Sequence, residues 1–371
     1  MAALELDSHT NKLLEAYGFD RRTFERLRDA LMKGEAREDD NRLHGHVEPP
    51  RPEEVVPLPK LGSPARRELA EIGNAAIERG EVGCVVLAGG MATRFGGCVK
   101  GDVPAVQGHT FLELKLRDAA AAARHADGRV PVYLMTSFAT HFTLVTRART
   151  LSLGVAIEAF PQHVSVRLTP EGDVFREADG SPSLYAPGHG DLTFALRESG
   201  TLRRFREGGG RMLFMTNVDN LTATLDPAII GAHVANKKPL TVEVAPKLPG
   251  DRGGAPASVD GVLQIVESFR FPKDFDQDRI PVFNTNTMVL DAEAIDRDFP
   301  LTWFAVRKTV DGRTAIQFER LVGELTAFLP TTFLGVERDG LDARFQPAKD
   351  PEELAQRAPM IEAVLSSRGI L

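Results

Sequence analysis

The distribution of hydrophobic residues along the chain predicts buried strands that alternate with helices. Residues 84–88, 130–137 and 155–160 form short, mostly apolar runs, as do strands that are buried on both faces of a parallel sheet. Between the first two runs, residues 110–125 combine apolar positions with an alanine-rich stretch, which is typical of a helix. This alternation predicts an α/β fold with a Rossmann-like, mixed but mostly parallel sheet flanked by helices.

The pattern divides the chain into three parts. Residues 1–79 are expected to form a helical appendage followed by a proline-rich, extended surface connector over residues 47–64 and a short helix. Residues 80–345 are expected to form the main, catalytic domain, and residues 346–371 a helical segment at the C-terminal end. The C-terminal helix has a clear start signal, because Asp350 can cap it and Pro351 fits its first position.

One more helix is predicted late in the main domain. Phe318, Leu321, Val322 and Leu325 are spaced so that they would share one face of a helix. We therefore expect a helix there that packs mainly against the core.

Composition and charge narrow the classes of function. The 371 residues are 42% hydrophobic and 26% charged, which is enough for one large α/β domain with an ample core. The 45 basic and 52 acidic residues give a net charge of −7, which argues against a general nucleic-acid or membrane-surface binder. The acidic amino terminus, the absence of a long apolar run and the presence of only two cysteines favour a cytoplasmic protein without disulfides. Because the net charge is negative, any basic binding site must be confined to one part of the molecule.

A glycine-dense loop after the first strand is the strongest candidate for such a site. Gly89 and Gly90 follow the strand, and their lack of a side chain lets backbone N–H groups turn toward an anion. Arg94 and Lys100 add positive charge where a polyphosphate would lie. The glycine spacing matches neither the P-loop nor the dinucleotide-binding fingerprint.

Polar residues also follow later strands, and ligands of parallel sheets bind at the carboxyl ends of strands. Gln162 follows the third strand, Gly188 and His189 lie at the start of a helix, and a strand over residues 211–217 ends on Asn217, Asp219 and Asn220. A single carboxylate among oxygen donors suits Mg²⁺. A turn stabilised by the Asp219 side chain is an equally good reading of that strand alone.

Taken together, these motifs resemble those of the UDP-sugar pyrophosphorylase family. The matching segments are G-G-x-x-T-R-F-G, P-G-H-G-D, N-x-D-N-L, E-V-x-x-K, F-N-T-N and R-F-x-P-x-K, in this order over about residues 80–355. The resemblance implies a nucleotide-diphospho-sugar transferase fold. Of the family's branches, the one that acts on glucose 1-phosphate is the most similar.

The resemblance implies a role for each matching residue. It places Arg94, Lys100 and Lys349 at the reacting phosphates and Asp219 on a catalytic Mg²⁺. The expected nucleotide-binding residues are Leu87, Ala88, Gly89, Gly90, Gln162, Gly188 and His189, with Gln162 reading uracil. The expected sugar-binding residues are Asn217, Asn220, Glu243, Gly254, Asn284 and Asn286.

The implied reaction joins UTP and a sugar 1-phosphate to give a UDP-sugar and pyrophosphate. Two alternatives stay open: a pyrophosphorylase for UDP-N-acetylhexosamine, and a non-catalytic protein that binds sugar nucleotides for regulation. The second draws on departures from the family pattern, with Ala92 in place of a glycine and Arg252 in place of a lysine. The family's glucose enzymes also continue into a C-terminal β-helix where this sequence ends at Leu371, so we carry over no mode of oligomerisation.

Overall fold

The structure, a computed structural model, describes residues 6–92, 95–248, 251 and 253–371. Its α-helices are α1 (Ser8–Ala16), α2 (Arg21–Lys33), α3 (Pro64–Glu78), α4 (Phe111–His125), α5 (His141–Thr150), α6 (Leu192–Glu198), α7 (Thr201–Glu207), α8 (Pro227–Asn236) and α9 (Pro351–Ser367). Its strands are β1 (Val47–Glu48), β2 (Val55–Pro57), β3 (Val82–Leu87), β4 (Met91–Ala92), β5 (Cys98–Val99), β6 (Pro104–Val106), β7 (His109–Thr110), β8 (Val132–Thr136), β9 (Ile157–Pro161), β10 (Ser165–Val166), β11 (Leu184–Tyr185), β12 (Met212–Asn217), β13 (Leu240–Pro246), β14 (Ala255–Val259), β15 (Val262–Val266), β16 (Val282–Asp291), β17 (Phe304–Val310), β18 (Arg313–Glu319) and β19 (Thr331–Gly335).

Eight of these strands form one central sheet in the order β2-β19-β13-β16-β12-β3-β8-β9. The strands β12, β3, β8 and β9 are mutually parallel, as are β13, β19 and β2. Only β16 runs antiparallel to its two neighbours, β12 and β13. The predicted mixed, mostly parallel sheet is therefore confirmed.

The continuous apolar runs arise because the central strands are covered on both faces. In β3, Cys84 and Val86 pack in one core and Val85 packs in the other, as expected from the two-residue period of a strand. The first core contains residues of α3, α4, α8 and α9, and the second contains residues of α6 and α7. The helices thus form a layer on each side of the sheet.

The proline-rich connector does more than cross the surface. Its residues 55–57 form β2, which pairs in parallel with β19 and ends the central sheet. Helices α1 and α2 instead pack against β10, β17 and β18, through Leu14, Phe24 and Leu27. The amino-terminal residues therefore contribute to two layers of the molecule.

The helix predicted around Phe318 is wrong. Phe318 lies in β18, which forms an antiparallel hairpin with β17 through the turn residues Asp311 and Gly312. Both turn residues have positive φ, 48° and 72°, as expected for the Asp-Gly pair of a tight hairpin turn. Beyond the hairpin, the residues from Val322 to Ala327 form only a short 3₁₀ helix.

The start of α9 agrees with the sequence signals. Asp350 accepts a hydrogen bond from the backbone N–H of Glu353, and Pro351 is the first helical residue. Among the helices of the described residues, none is long and apolar enough to cross a membrane.

Candidate active site

A cavity of about 340 Å³ opens at the carboxyl ends of β3, β8, β9 and β12. Its lining includes Leu87 at the end of β3, Met135 in β8 and Asn217 at the end of β12. This is the edge at which open parallel sheets bind their ligands. The site is thus placed by the topology of the sheet.

The glycine-dense loop forms one wall of the cavity. Gly89 lies so close to Gln162 that a Cβ atom on it would be 2.0 Å from Nε2 of Gln162. The hydroxyl of Ser137 donates a hydrogen bond of 2.8 Å to the carbonyl of Gly89 and so fixes the loop from behind. Gly90 also lines the cavity, whereas Ala88 is fully buried and its N–H donates to the carbonyl of Met135 at 2.8 Å.

Gln162 presents an amide to this cavity. Its backbone N–H donates to the carbonyl of Thr136 at 2.8 Å, which holds the residue in register after β9. The residue is 7% exposed, and within the described part of the chain no group forms a hydrogen bond with its side-chain amide. A buried amide that can both donate and accept is available to read a polar planar ligand.

Lys100 forms an ion pair with another predicted site residue. Nζ of Lys100 lies 2.6 Å from Oδ2 of Asp219, and the two side chains are 14% and 22% exposed. Lys100 begins a short 3₁₀ turn after the glycine loop, and Asp219 follows β12, so the pair bridges two strand ends. Positive and negative charge are therefore held together at the cavity wall.

His189 is held as a neutral ring. The backbone N–H of Val322 donates to Nδ1 of His189 at 3.1 Å, which places the ring proton on Nε2. Burial lowers the pKa of His189 to about 4, although the charge of Glu319 acts in the opposite direction. The ring lines the cavity, and Nε2–H is a hydrogen-bond donor at neutral pH.

Gly188 fits closely against a neighbouring strand end. Its φ is 93°, and a Cβ there would lie 2.8 Å from the carbonyl oxygen of Arg320. A side chain at this position would meet both backbone strain and a clash. The turn that carries His189 therefore depends on this glycine.

A buried charge network supports the same turn from the other side. Asp191 is 0% exposed; it accepts a hydrogen bond from the backbone N–H of His163 at 2.6 Å and pairs with Arg320. The ring of His163 bridges Asp191 at 2.8 Å and Glu198 at 2.6 Å. Gln162 directly precedes His163, and His189 lies two residues before Asp191, so the backbone joins both site residues to the same network.

Three of the predicted sugar-binding asparagines are linked to one another. Nδ2 of Asn286 donates to Oδ1 of Asn217 at 2.9 Å, and the backbone N–H of Asn286 donates to Oδ1 of Asn284 at 2.9 Å. The backbone N–H of Asn284 in turn donates to the carbonyl of Gly254 at 2.7 Å. These four residues therefore form a continuous polar surface between β12 and β16.

Comparison with known proteins assigns the chain to a family. The model of the family described as UTP–glucose-1-phosphate uridylyltransferase matches residues 22–358. The chain belongs to this family.

Curated relatives of the same name agree with this assignment. The chain is 29% identical over 341 residues to the UTP–glucose-1-phosphate uridylyltransferase of Solanum tuberosum, which covers 87% of this chain and 69% of the relative. It is 27% identical over 283 residues to that of Encephalitozoon cuniculi, with 72% and 56% covered. The chain therefore spans little more than half the length of some relatives that it matches.

Solved structures share the fold. A uridine diphosphate N-acetylglucosamine pyrophosphorylase from Trypanosoma brucei superposes with a TM-score of 0.77 at 19% identity, covering 94% of this chain and 79% of that one. A UDP-glucose pyrophosphorylase mutant from Leishmania major gives a TM-score of 0.69 at 23% identity, covering 95% and 79%. At these identities the likeness is one of fold alone.

Two residues predicted to bind the sugar, Asn220 and Glu243, have buried side chains with partners inside the protein, and their role at the sugar stays a prediction. Asn220 is 0% exposed, and its side chain bonds the backbone of Arg344 and Gln346. Glu243 is 1% exposed, and both of its carboxylate oxygens bind the guanidinium of Arg344 at 2.6 Å. Both side chains face the protein interior because each has a buried partner that it must satisfy.

The two lysines predicted to contact the phosphates differ in their position relative to the cavity. Lys100 lines the cavity, whereas Lys349 is exposed, with its backbone N–H donating to Glu353 at 2.9 Å. Arg94, which the family motif places at the phosphates, lies outside the described residues, as does Arg252. The roles of these residues stay predictions.

Sequence reasoning missed one buried cation beneath the site. Nζ of Lys115 in α4 donates to the carbonyls of Asn220 at 2.6 Å and Ala223 at 2.8 Å, and the residue is 1% exposed. Burial lowers the pKa of Lys115 to about 8, against the effect of the nearby Asp118 charge. A lysine inside an otherwise apolar helix pattern was the available signal, but nothing local indicated which carbonyls it would meet.

The cavity offers Mg²⁺ one carboxylate, a donor set that fits a Mg²⁺ ion whose coordination is completed by substrate oxygens and water. No cluster of three or more His, Cys, Asp or Glu side chains that could hold a metal is present among residues 6–92, 95–248, 251 and 253–371. Asp219 supplies one carboxylate at the cavity wall. Mg²⁺ is often bound by one or two carboxylates and completed by phosphate oxygens and water.

Proposed function

We propose that this protein transfers a uridylyl group from UTP to glucose 1-phosphate, giving UDP-glucose and pyrophosphate. One observation carries the proposal: in a chain of this family, the cavity brings the glycine wall, the Gln162 amide, the neutral His189 and the Lys100–Asp219 pair to one edge of the sheet. These are groups suited to a base, a sugar nucleotide and a polyphosphate.

In this proposal a phosphate oxygen of glucose 1-phosphate attacks the α-phosphorus of UTP. A new P–O bond forms, the bond to the β-phosphate oxygen breaks, and pyrophosphate leaves with its electron pair. The attacking oxygen is already an anion, so the chain needs no general base. Positioning and charge neutralisation are what the protein must supply.

The side chains divide this work. Gln162 would address the uracil edge, and Nε2–H of His189 would donate to an oxygen of the bound sugar nucleotide without adding charge. Lys100 and Lys349 would neutralise the phosphates. Asp219 would hold Mg²⁺, which when bound supplies charge neutralisation at the phosphates.

The test is pyrophosphate release from purified protein given UTP and Mg²⁺. Glucose, galactose and N-acetylglucosamine 1-phosphates are compared in parallel, with a metal-free control. We expect metal-dependent release with glucose 1-phosphate. A preference for N-acetylglucosamine 1-phosphate would change the proposed substrate and retain the proposed reaction. No pyrophosphate release with any of the three sugar phosphates would favour the non-catalytic binding protein.

The role of Lys349 can be tested in the same assay. Replacing it with alanine should lower kcat by about 100-fold or more while changing the KM for UTP much less, because its charge is needed mainly in the transition state. Lys33→Ala is a suitable control, since Lys33 is also an exposed lysine and lies at the end of α2, away from the cavity. Near-normal turnover of the Lys349 variant would remove this residue from catalysis.

A further inference from the structure

Two segments that are distant in sequence carry the carboxylate and one lysine of the proposed reaction. The carboxylate segment, residues 217–225, follows β12 and contains Asp219. The lysine segment, residues 344–349, precedes α9 and ends on Lys349. For the reaction to proceed in line, these segments must keep a fixed relation to each other.

The side chain of Asn220 connects the two segments directly. Its Nδ2 donates to the carbonyl of Arg344 at 3.0 Å, and its Oδ1 accepts from the backbone N–H of Gln346 at 3.1 Å. The amide of an asparagine can donate from its nitrogen and accept at its oxygen. The orientation of the Asn220 amide is fixed here because one partner is a carbonyl and the other an N–H. The residue is 0% exposed, so neither hydrogen bond is shared with solvent.

Buried charged side chains also bind the backbone of the carboxylate segment and fix the lysine segment. Lys115 holds the carboxylate segment through the carbonyls of Asn220 and Ala223. Arg344 is 0% exposed, pairs with both oxygens of Glu243 and donates to the carbonyl of Thr224 at 2.9 Å. Buried charged side chains therefore hold both segments in place.

We propose that Asn220 is a positioning residue that locks the Asp219 carboxylate and the Lys349 segment into one unit. This inference rests on the proposed function, in which both residues act on the same phosphates. Asp219 directly precedes Asn220, and Lys349 lies three residues beyond Gln346 with Pro347 between them. Glu243, which the sequence placed at the sugar, belongs to the same unit through Arg344.

The experiment compares Asn220→Ala with a matched control, Asn41→Ala. Asn41 is 9% exposed and its Nδ2 also donates to a distant backbone carbonyl, that of Ala305 at 2.8 Å, but it lies away from the cavity. Asn220→Ala should lower kcat by about 100-fold with little change in the KM for UTP, since a misplacement of about 1 Å can have this effect. Asn41→Ala should lower the melting temperature and leave kcat unchanged.

A second comparison separates positioning from general damage. In a Lys349→Ala background, adding Asn220→Ala should lower kcat by no more than about 3-fold, because residues that act as a unit give non-additive losses. A loss of about 100-fold in both backgrounds would overturn the proposal, and so would a normal kcat for Asn220→Ala. Asn220→Ser, which retains one hydroxyl, replaces the alanine variant if that variant does not fold, and its expected loss is about 10-fold.

Hydrogen exchange provides a readout that does not depend on activity. Asn220→Ala should speed the exchange of backbone amides in residues 344–349, where the Gln346 N–H loses its acceptor, and Asn41→Ala should not. Unchanged exchange there would refute the lock even in an active enzyme. A wild-type protein that releases no pyrophosphate with any sugar, but whose Asn220 variant shows faster exchange, would refute the proposed function and keep the lock.

Discussion

The bridge made by His163 should make the stability of the protein depend on pH in the alkaline range. Burial lowers the pKa of His163, but the hydrogen bonds and charges of Asp191 and Glu198 raise it to about 9 from an ordinary value of 6.5. Asp20 is a further nearby carboxylate, and Arg320 is a cation bound to the same Asp191. The imidazolium is therefore the form that the folded protein prefers.

The sign and size of the effect follow from this difference in pKa. Because the folded-state value is the higher one, the stabilisation is complete below pH 6.5 and is lost as the pH rises through about 9. Its full size is about 3 kcal/mol, at about 1.4 kcal/mol per pKa unit. The same linkage relation leaves about 2 kcal/mol at a pH of about 7.5 and close to zero at a pH of about 9.5.

The assay is urea unfolding of the wild type and of His163→Gln at these two pH values. Other groups titrate between them, but they do so in both proteins, so the difference in the free energy of unfolding isolates His163. We expect that difference to shrink by about 2 kcal/mol on going to the higher pH. An equal difference at both values would show that His163 is not charged in the folded protein, and the reasoning would fail.

Two other predictions concern the glycine wall and the cysteines. Gly89→Ala should raise the KM for UTP by about 10-fold, or about 1.4 kcal/mol, because the new methyl group would displace the Gln162 side chain. The added methyl group of Gly90→Ala meets open space, so this variant should raise the KM less. Equal increases in the two variants would contradict this role for Gly89. A thiol reagent at a pH of about 8 should label one cysteine of the native protein and two after unfolding, since Cys98 is exposed whereas burial raises the pKa of Cys84 to about 12; rapid labelling of both in the native state would contradict the packing of β3.

Much of the fold could be predicted because its signals are local. The apolar run of β3, the alanine-rich α4 and the Asp350–Pro351 start of α9 each specify an element without reference to the rest of the chain. The helix predicted at Phe318 failed because apolar residues at a spacing of three or four also occur where a strand passes into a turn. The Asp311–Gly312 pair was the stronger signal, since it fixes a hairpin by backbone conformation.

The site was predictable in its outline, but the direction of individual side chains was not. Lys100, Gln162 and Asp219 reach one cavity because strand ends converge at one edge of the sheet. Asn220 lies shortly after the end of β12 and Glu243 in the middle of β13. Both face inward, because their partner Arg344 comes from a segment 124 and 101 residues away, respectively. Such a buried polar pairing depends on the tertiary fold, and no sequence period reports it.

The short strand β2 has a consequence for handling the protein. It covers the outer edge of β19, whose backbone N–H and C=O groups would otherwise form a template for another chain, and Pro57 at its end cannot extend the ladder. A shortened protein that begins after residue 57 would keep every residue that lines the cavity, but its sheet would end on β19 with an uncovered edge. Such a truncation is therefore expected to self-associate through β19, and the amino-terminal residues are better retained when the protein is prepared for crystallisation.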